Sequence, residues 1–193
     1  MKLSSVKVLE LNKEHNLIEN LSEREKNNPE GIDIDLRVKS AEKITGPSYL
    51  GVEERSSPET ELIGDLEKDG NKKITLAPGE YLLVKTVEKI NCPGEPIKYS
   101  ENEPERYIIP DIKPRVSLQK GGVSLLCSTT NPGYSGPLVF GVANNSKFHF
   151  EFELGSRMFK ILWEPVIGNI KRAYSGQHQG GRTSSQGEVE KQN

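Results

Sequence analysis

The stretch N131-P-G-Y-S-G-P-L-V-F-G-V-A-N144 is a polar turn that runs straight into an apolar strand. Asn, Pro, Gly and Ser supply turn chemistry, and Val139, Phe140 and Val142 favour an extended, buried backbone. One residue interrupts the run. Gly141 stands where a side chain is expected, and a glycine inside a strand weakens the sheet and marks a place that something approaches closely.

Short strands of the same kind recur on both sides of it. G31-I-D-I-D-L-R-V38 alternates Ile32, Ile34, Leu36 and Val38 with Asp33, Asp35 and Arg37, the period of a half-buried strand. I74-T-L-A-P-G-E-Y-L-L-V-K-T-V87 reads as strand, Pro-Gly turn, strand, and V123-S-L-L-C127 as a buried strand. F148-H-F-E-F-E-L154 places Phe148, Phe150, Phe152 and Leu154 on one face, with His149, Glu151 and Glu153 on the solvated one. M158-F-K-I-L-W163 follows a turn at Gly155. Regularly spaced strands with Gly/Pro turns and almost no long helix predict an all-β sandwich or barrel. Residues 1–30 carry a patchy helical pattern and predict a short helix and a turn packed on the domain. Residues 52–73 and 93–107 read as polar surface loops. From Gly176 onward the chain has almost no apolar content, which predicts a tail that is mobile without ligand.

The 193 residues suit one domain, with 33% hydrophobic and 28% charged side chains. A formal net charge of -2 provides no global basic field for a nucleic-acid polymer. Cys92 and Cys127 are expected to be buried free thiols, which favours a reducing compartment. The charged N-terminus is unlike a signal peptide, and no segment approaches the ~20 apolar residues of a membrane helix. These features predict a soluble, cytoplasmic protein. His15, His149 and His178 pair with no cysteine at ligand spacing, so zinc is not expected. No P-loop, nucleophile elbow or dinucleotide fingerprint occurs.

The segment from Pro110 to Gly122, reading P-D-I-K-P-R-V-S-L-Q-K-G-G, gathers Lys113, Arg115, Ser117 and Lys120 ahead of two glycines. Guanidinium, hydroxyl and free backbone N–H groups together suit an oxyanion, and the plainer reading is a solvated loop. R115-V-S-L-Q-K120 resembles the R-S-S-L-x-R motif of the dCTP deaminases, relatives of the trimeric dUTPases. D35-L-R37 resembles the first motif of that family, and A77-P-G-E-Y-L-L-V84 its P-G-E strand. N131-P-G-Y-S-G136 resembles its D-P-G-[WF]-x-G turn. E164-P follows the penultimate strand as in several members, and Y174-S-G-Q-H-Q-G180 resembles the tail motif Y-x-G-K-Y-Q-G. The order is kept over residues 30–182.

The resemblance implies a distorted, dUTPase-like β jelly roll over residues 31–175, preceded by the N-terminal segment 1–30 and followed by the mobile tail 176–193. It implies a homotrimer with a site at each subunit interface, a deoxypyrimidine nucleoside triphosphate as ligand, and Mg2+ held through the phosphates. Arg115, Ser117 and Lys120 match residues that contact triphosphate, although Lys120 lacks the arginine fork. Tyr134 matches the aromatic beside the deoxyribose. Tyr174 and Gln179 match tail residues that reach the nucleotide, and Gln177 replaces a tail lysine.

Two further positions depart from the pattern. Asn131 replaces the turn aspartate, and an amide cannot act as a base. Gly141 falls where the deaminases carry the glutamate that shuttles protons, and it is expected to leave a hole. Three readings remain open. One is a nucleotide-binding relative impaired in catalysis. Another is an active dCTP deaminase or dUTP diphosphatase, a hydrolase of nucleotide metabolism using a different acid. The last is a structural trimer with a relic site.

Overall fold

The computed structural model describes residues 1–192. Helix α1 (Ser5–His15) begins where the Ser4 hydroxyl accepts from the Lys7 N–H at 3.2 Å, and it stops at Asn16 in the left-handed region. Its buried face, Val8 and Leu11, rests on the main body. β1 (Ile18–Glu19) pairs antiparallel with Ile90 and Lys89, and α2 (Glu23–Asn27) is capped by the Ser22 hydroxyl.

β2 (Ile34–Ile44) is the long strand on which the sheet is built. The segment predicted to be loop over residues 52–73 is instead largely regular. β3 (Tyr49–Leu50) lies just before it, and it contains β4 (Glu54–Ser56), β5 (Thr60–Asp65) and α3 (Leu66–Asp69). β5 pairs antiparallel with β2 from Ser40 to Ile44, so its acidic residues lie on a solvated strand face rather than in a loop. β6 (Lys73–Leu76) and β7 (Tyr81–Asn91) flank the Ala77–Glu80 turn, where Gly79 takes φ +76° and the Glu80 N–H donates to Ala77 O at 3.0 Å. β8 (Ile108–Pro114) leads into α4 (Val116–Lys120), which replaces the loop expected there. β9 (Val123–Leu126), β10 (Ser135–Asn144), β11 (Phe150–Glu153) and β12 (Arg157–Pro165) complete the body, and β13 (Glu190–Lys191) lies in the tail.

The sheet order is β8-β12-β2-β7-β10-β9, with β1 also on β7 and β5 also on β2. β2 makes the corner: residues 34–37 pair with β12, and residues 38–43 pair with β7. Separate small sheets join β11 to β6 and β13 to β4 to β3. The result is a distorted β jelly roll. Its core holds Trp163, Phe159, Leu36, Leu82 and Ile90, with the Phe140 and Phe159 rings 4.5 Å apart between centroids. Burying each such side chain contributes about 1.5–3 kcal/mol. Pro137 cannot donate to the ladder and sits beside a register shift of β10. The Thr86 hydroxyl accepts from the Leu138 N–H there at 2.9 Å.

Four side-chain expectations change. Ile32 precedes the strand and is exposed, and Phe148 is 78% exposed because pairing on β6 begins only at Phe150. Asp35, on the nominally polar face, is buried among arginines. Cys127 is exposed because it lies just past the end of β9, whereas Cys92 is buried and its thiol is pushed up to about 12 by burial.

Candidate nucleotide site

The turn at 131–136 is shaped by what lies on it. Gly133 has φ +94° and Gly136 φ +147°. A Cβ on Gly133 would stand 2.8 Å from Tyr174 O, and one on Gly136 would stand 2.7 Å from the Gly180 carbonyl carbon. Both glycines therefore admit the C-terminal tail of the same chain. The tail is fastened there by four hydrogen bonds. Tyr174 N–H donates to Pro132 O at 2.7 Å, and Gly180 N–H donates to Ser135 O at 2.9 Å. The Gln179 amide donates to Gly133 O at 2.7 Å and accepts from Ser135 N–H at 3.1 Å.

Tyr134 is buried beneath this contact. Its hydroxyl donates to Pro137 O at 2.5 Å, and its ring lies 6.0 Å from that of Tyr174. Burial, with Tyr174 and Cys92 nearby, pushes the Tyr134 phenol up to about 12, so it remains a neutral donor. Asn131, Tyr134, Tyr174 and His178 line a cavity of about 390 Å³ with Thr129, Thr130 and Arg182. Asn131, Tyr174 and His178 also form a wall of a second concavity of about 600 Å³. Burial, then Arg55 and Arg182, hold His178 below its ordinary value.

Gly141 is not a hole. It is buried on the outer side of β10, and a Cβ placed there would lie 2.0 Å from the Tyr81 hydroxyl and 2.6 Å from the carbon that bears it. Tyr81 reaches this point because it pairs with Ala143, two residues along the same face. Burial alone raises the Tyr81 phenol, which keeps it protonated. The space expected for a carboxylate therefore holds a neutral hydroxyl.

The residues of the R-V-S-L-Q-K stretch lie elsewhere. Arg115 Nη1 binds Asp35 Oδ2 at 2.7 Å, and Arg157 Nη1 binds the same oxygen at 2.9 Å. Asp35 Oδ1 is buried without a partner. Burial pushes the Asp35 carboxyl up, against the pull of Arg115. Ser117 lines a third concavity of about 440 Å³ with Arg157, Glu151 and Glu153, and Glu151 pairs with Lys73 at 3.2 Å. Lys120 is exposed at the end of α4. Thus one chain assembles Asn131, Tyr134, Tyr174 and Gln179, while Arg115, Ser117 and Lys120 belong to a separate group. Tyr81, Asp35, Arg55 and Arg172 were not singled out as site residues by sequence reasoning. Asp35 and Tyr81 lay inside the D-L-R and P-G-E motifs, whereas nothing in the sequence marked Arg55, which has Glu53 and Glu59 at strand and helical spacing.

The corner strand, the Gly-rich turn and the tail folded onto it define a jelly-roll protein with a pocket closed by its own C-terminal segment. The crystal structure of 2'-deoxycytidine 5'-triphosphate deaminase from Agrobacterium tumefaciens has the same fold, with a TM-score of 0.58 over 86% of this chain and 48% of that one, at 14% identity. The family model described as dCTP deaminase-like matches residues 3–166, and the chain belongs to that family. A dCTP deaminase of Pyrococcus furiosus is 30% identical over 116 residues, 60% of this chain and 65% of the relative. A probable deoxyuridine 5'-triphosphate nucleotidohydrolase of Methanothermobacter thermautotrophicus is 27% identical over 146 residues, covering 76% of this chain and 84% of the relative. The chain thus spans a little under two thirds of the length of the Pyrococcus furiosus relative. Among the described residues, no helix is long and apolar enough to cross a membrane.

Proposed function

We propose that this chain binds a deoxypyrimidine nucleoside triphosphate at the subunit interfaces of a cytoplasmic homotrimer and has lost, or largely lost, the family's chemistry. The contact between Tyr81 and Gly141 carries this reading. Deamination needs a group that takes a proton from water and returns it to the ring, and general acid–base catalysis is typically worth about 10²–10⁴-fold. A phenol held protonated by burial, beside an amide at Asn131, does not exchange protons in that way near neutral pH. Glu151 and Glu153 are solvent-exposed on β11, and Glu151 is already paired with Lys73 at 3.2 Å, so neither is held as a poised proton carrier.

Binding is supported by what is retained. Tyr134 and Tyr174 form an aromatic wall suited to a sugar and a base, and Gln179 lies across the turn. Arg115, Ser117 and Lys120 are too distinct a group to complete this cavity from the same chain, so a neighbouring copy would supply them. The tail would open to admit ligand and close over it. Mg2+ would be held by phosphate oxygens and water: the described residues gather no group of three His, Cys, Asp or Glu that could hold an ion.

Titration calorimetry with dCTP, dUTP and dTTP in the presence of Mg2+ tests the reading. Micromolar affinity for at least one of them is expected. No heat with any of the three would leave the structural-trimer alternative in its place.

A further inference from the structure

Six arginines of this chain have carboxylate partners within 4 Å. Arg24 pairs with Glu30 at 2.6 Å, Arg37 with Glu88 at 2.7 Å and Arg106 with Glu103 at 3.7 Å. Arg115 and Arg157 share Asp35, and Arg182 pairs with Glu190. The remaining two, Arg55 and Arg172, have no such partner among the described residues. Both line the same concavity, the one of about 600 Å³ beside Asn131 and Tyr174. Among the described residues, no Asp or Glu lines it.

Two guanidinium groups line one hollow that no carboxylate lines, the nearest acid being Glu190 opposite Arg55 across the β13–β4 pair, and a bound anion there would engage both. Their supports come from different parts of the chain. Arg55 sits on β4, where its guanidinium donates to the Gln177 side chain, and Arg172 follows the end of β12. Gln177 occupies the tail position where the resembling family carries lysine. The charge missing from the tail is thus present on β4, bonded to the residue that replaced the lysine. By contrast, the concavity beside Ser117 contains Glu151 and Glu153, and Arg115 is already paired with Asp35, which it shares with Arg157.

The geometry points to an anion site formed by Arg55 and Arg172, taking the phosphate chain of a nucleotide whose sugar and base lie across Tyr174, in the cavity beside Tyr134. This inference rests on the nucleotide-binding reading and adds that the phosphates are gripped by this chain's own two unpaired arginines. His178, on the wall common to both cavities, faces the junction between phosphate and sugar.

The test is calorimetry on the full chain with dCTP and, separately, inorganic triphosphate. The proteins are wild type, R172Q, R55Q/R172Q and S117A/K120A. Arg172 is exposed and makes no side-chain hydrogen bond among the described residues, so R172Q should keep the wild-type melting temperature even if R55Q loosens the tail. Each lost arginine should weaken both ligands by roughly tenfold to a hundredfold, the worth of a charge-assisted hydrogen bond. Wild-type affinity for dCTP in both arginine variants overturns the inference and leaves the nucleotide reading intact. Triphosphate binding that depends on Arg55 and Arg172, with no binding of any deoxypyrimidine nucleotide, upholds the anion site and removes that reading. No binding of either ligand by wild type removes both.

Discussion

Tyr81 and Gly141 divide one volume between two adjacent strands, and neither makes sense without the other. A side chain at 141 would displace the phenol end of Tyr81, so Gly141→Ala should cost about 0.5–1.5 kcal/mol in urea unfolding, that of pushing a side chain off its rotamer. In Tyr81→Ala/Gly141→Ala the two costs should fall well short of adding. Strict additivity would show that the contact does not exist. Gly141→Glu by itself should not confer deamination, because the glutamate has no room until Tyr81 is shortened. Asp35 is the second decisive residue. Asp35→Ala leaves Arg115 and Arg157 in a half-exposed site without their counter-ion, and unfolding measurements should show a loss of about 1.5–3 kcal/mol, the worth of a charged hydrogen bond. Wild-type stability would mean that Glu25, which also lies within reach of Arg157, suffices. The glycine was legible as a point of close approach. Its neighbour was not, since only the register of β7 against β10 selects Tyr81. Asp35 was misplaced because strand alternation assigns a face without knowing that arginines from β8's end and β12 reach across it.

The tail is the element most open to test. Its first part lies on the Gly133–Gly136 turn, and its last part adds β13 to β4, with Ser185 Oγ accepting from Ser57 N–H at 2.9 Å. Glu42 braces the middle, accepting from Thr183 Oγ1 at 3.0 Å and Thr60 Oγ1 at 2.7 Å. Gly136→Ala puts a methyl group against Gly180 and Gly181. Amide hydrogen exchange over residues 174–192 should accelerate in that variant while the β-sheet stays protected. Unchanged exchange would contradict the packing. The pH dependence follows from His178, which faces Arg55, Arg182 and Glu190. Its folded value is lowered, so its contribution is complete above the ordinary histidine value of about 6.5 and is lost as pH falls through the lower, folded value. Tail protection factors, taken against intrinsic exchange at each pH, should therefore fall below pH ~6.5 in wild type and respond less in His178→Gln. An equal response in the two would assign the effect to Glu190. Composition marked the tail as unable to fold alone, and it is seated by hydrogen bonds to the segment that had looked like loop. Polar pairing of this kind leaves no apolar period to read.

For the whole molecule, alternation and Gly/Pro turns were sufficient to read an all-β sandwich or barrel, and the jelly roll came from the resemblance that the ordered motifs carry. The completeness of the site was not legible. It depends on which motifs a single chain brings together, and here they fall into two groups on different faces. Sedimentation equilibrium should give the mass of a trimer. A monomer at micromolar concentration would leave Arg115, Ser117 and Lys120 unable to meet Tyr134 and Tyr174. The central claim, a pocket that holds nucleotide without transforming it, is tested most directly by chromatography of dCTP and of dUTP after incubation with the protein and Mg2+. The account predicts that both are recovered unchanged at protein concentrations that saturate binding. Release of deoxyuridine nucleotide from dCTP, or of pyrophosphate from dUTP, at about 1 s⁻¹ or faster would contradict it.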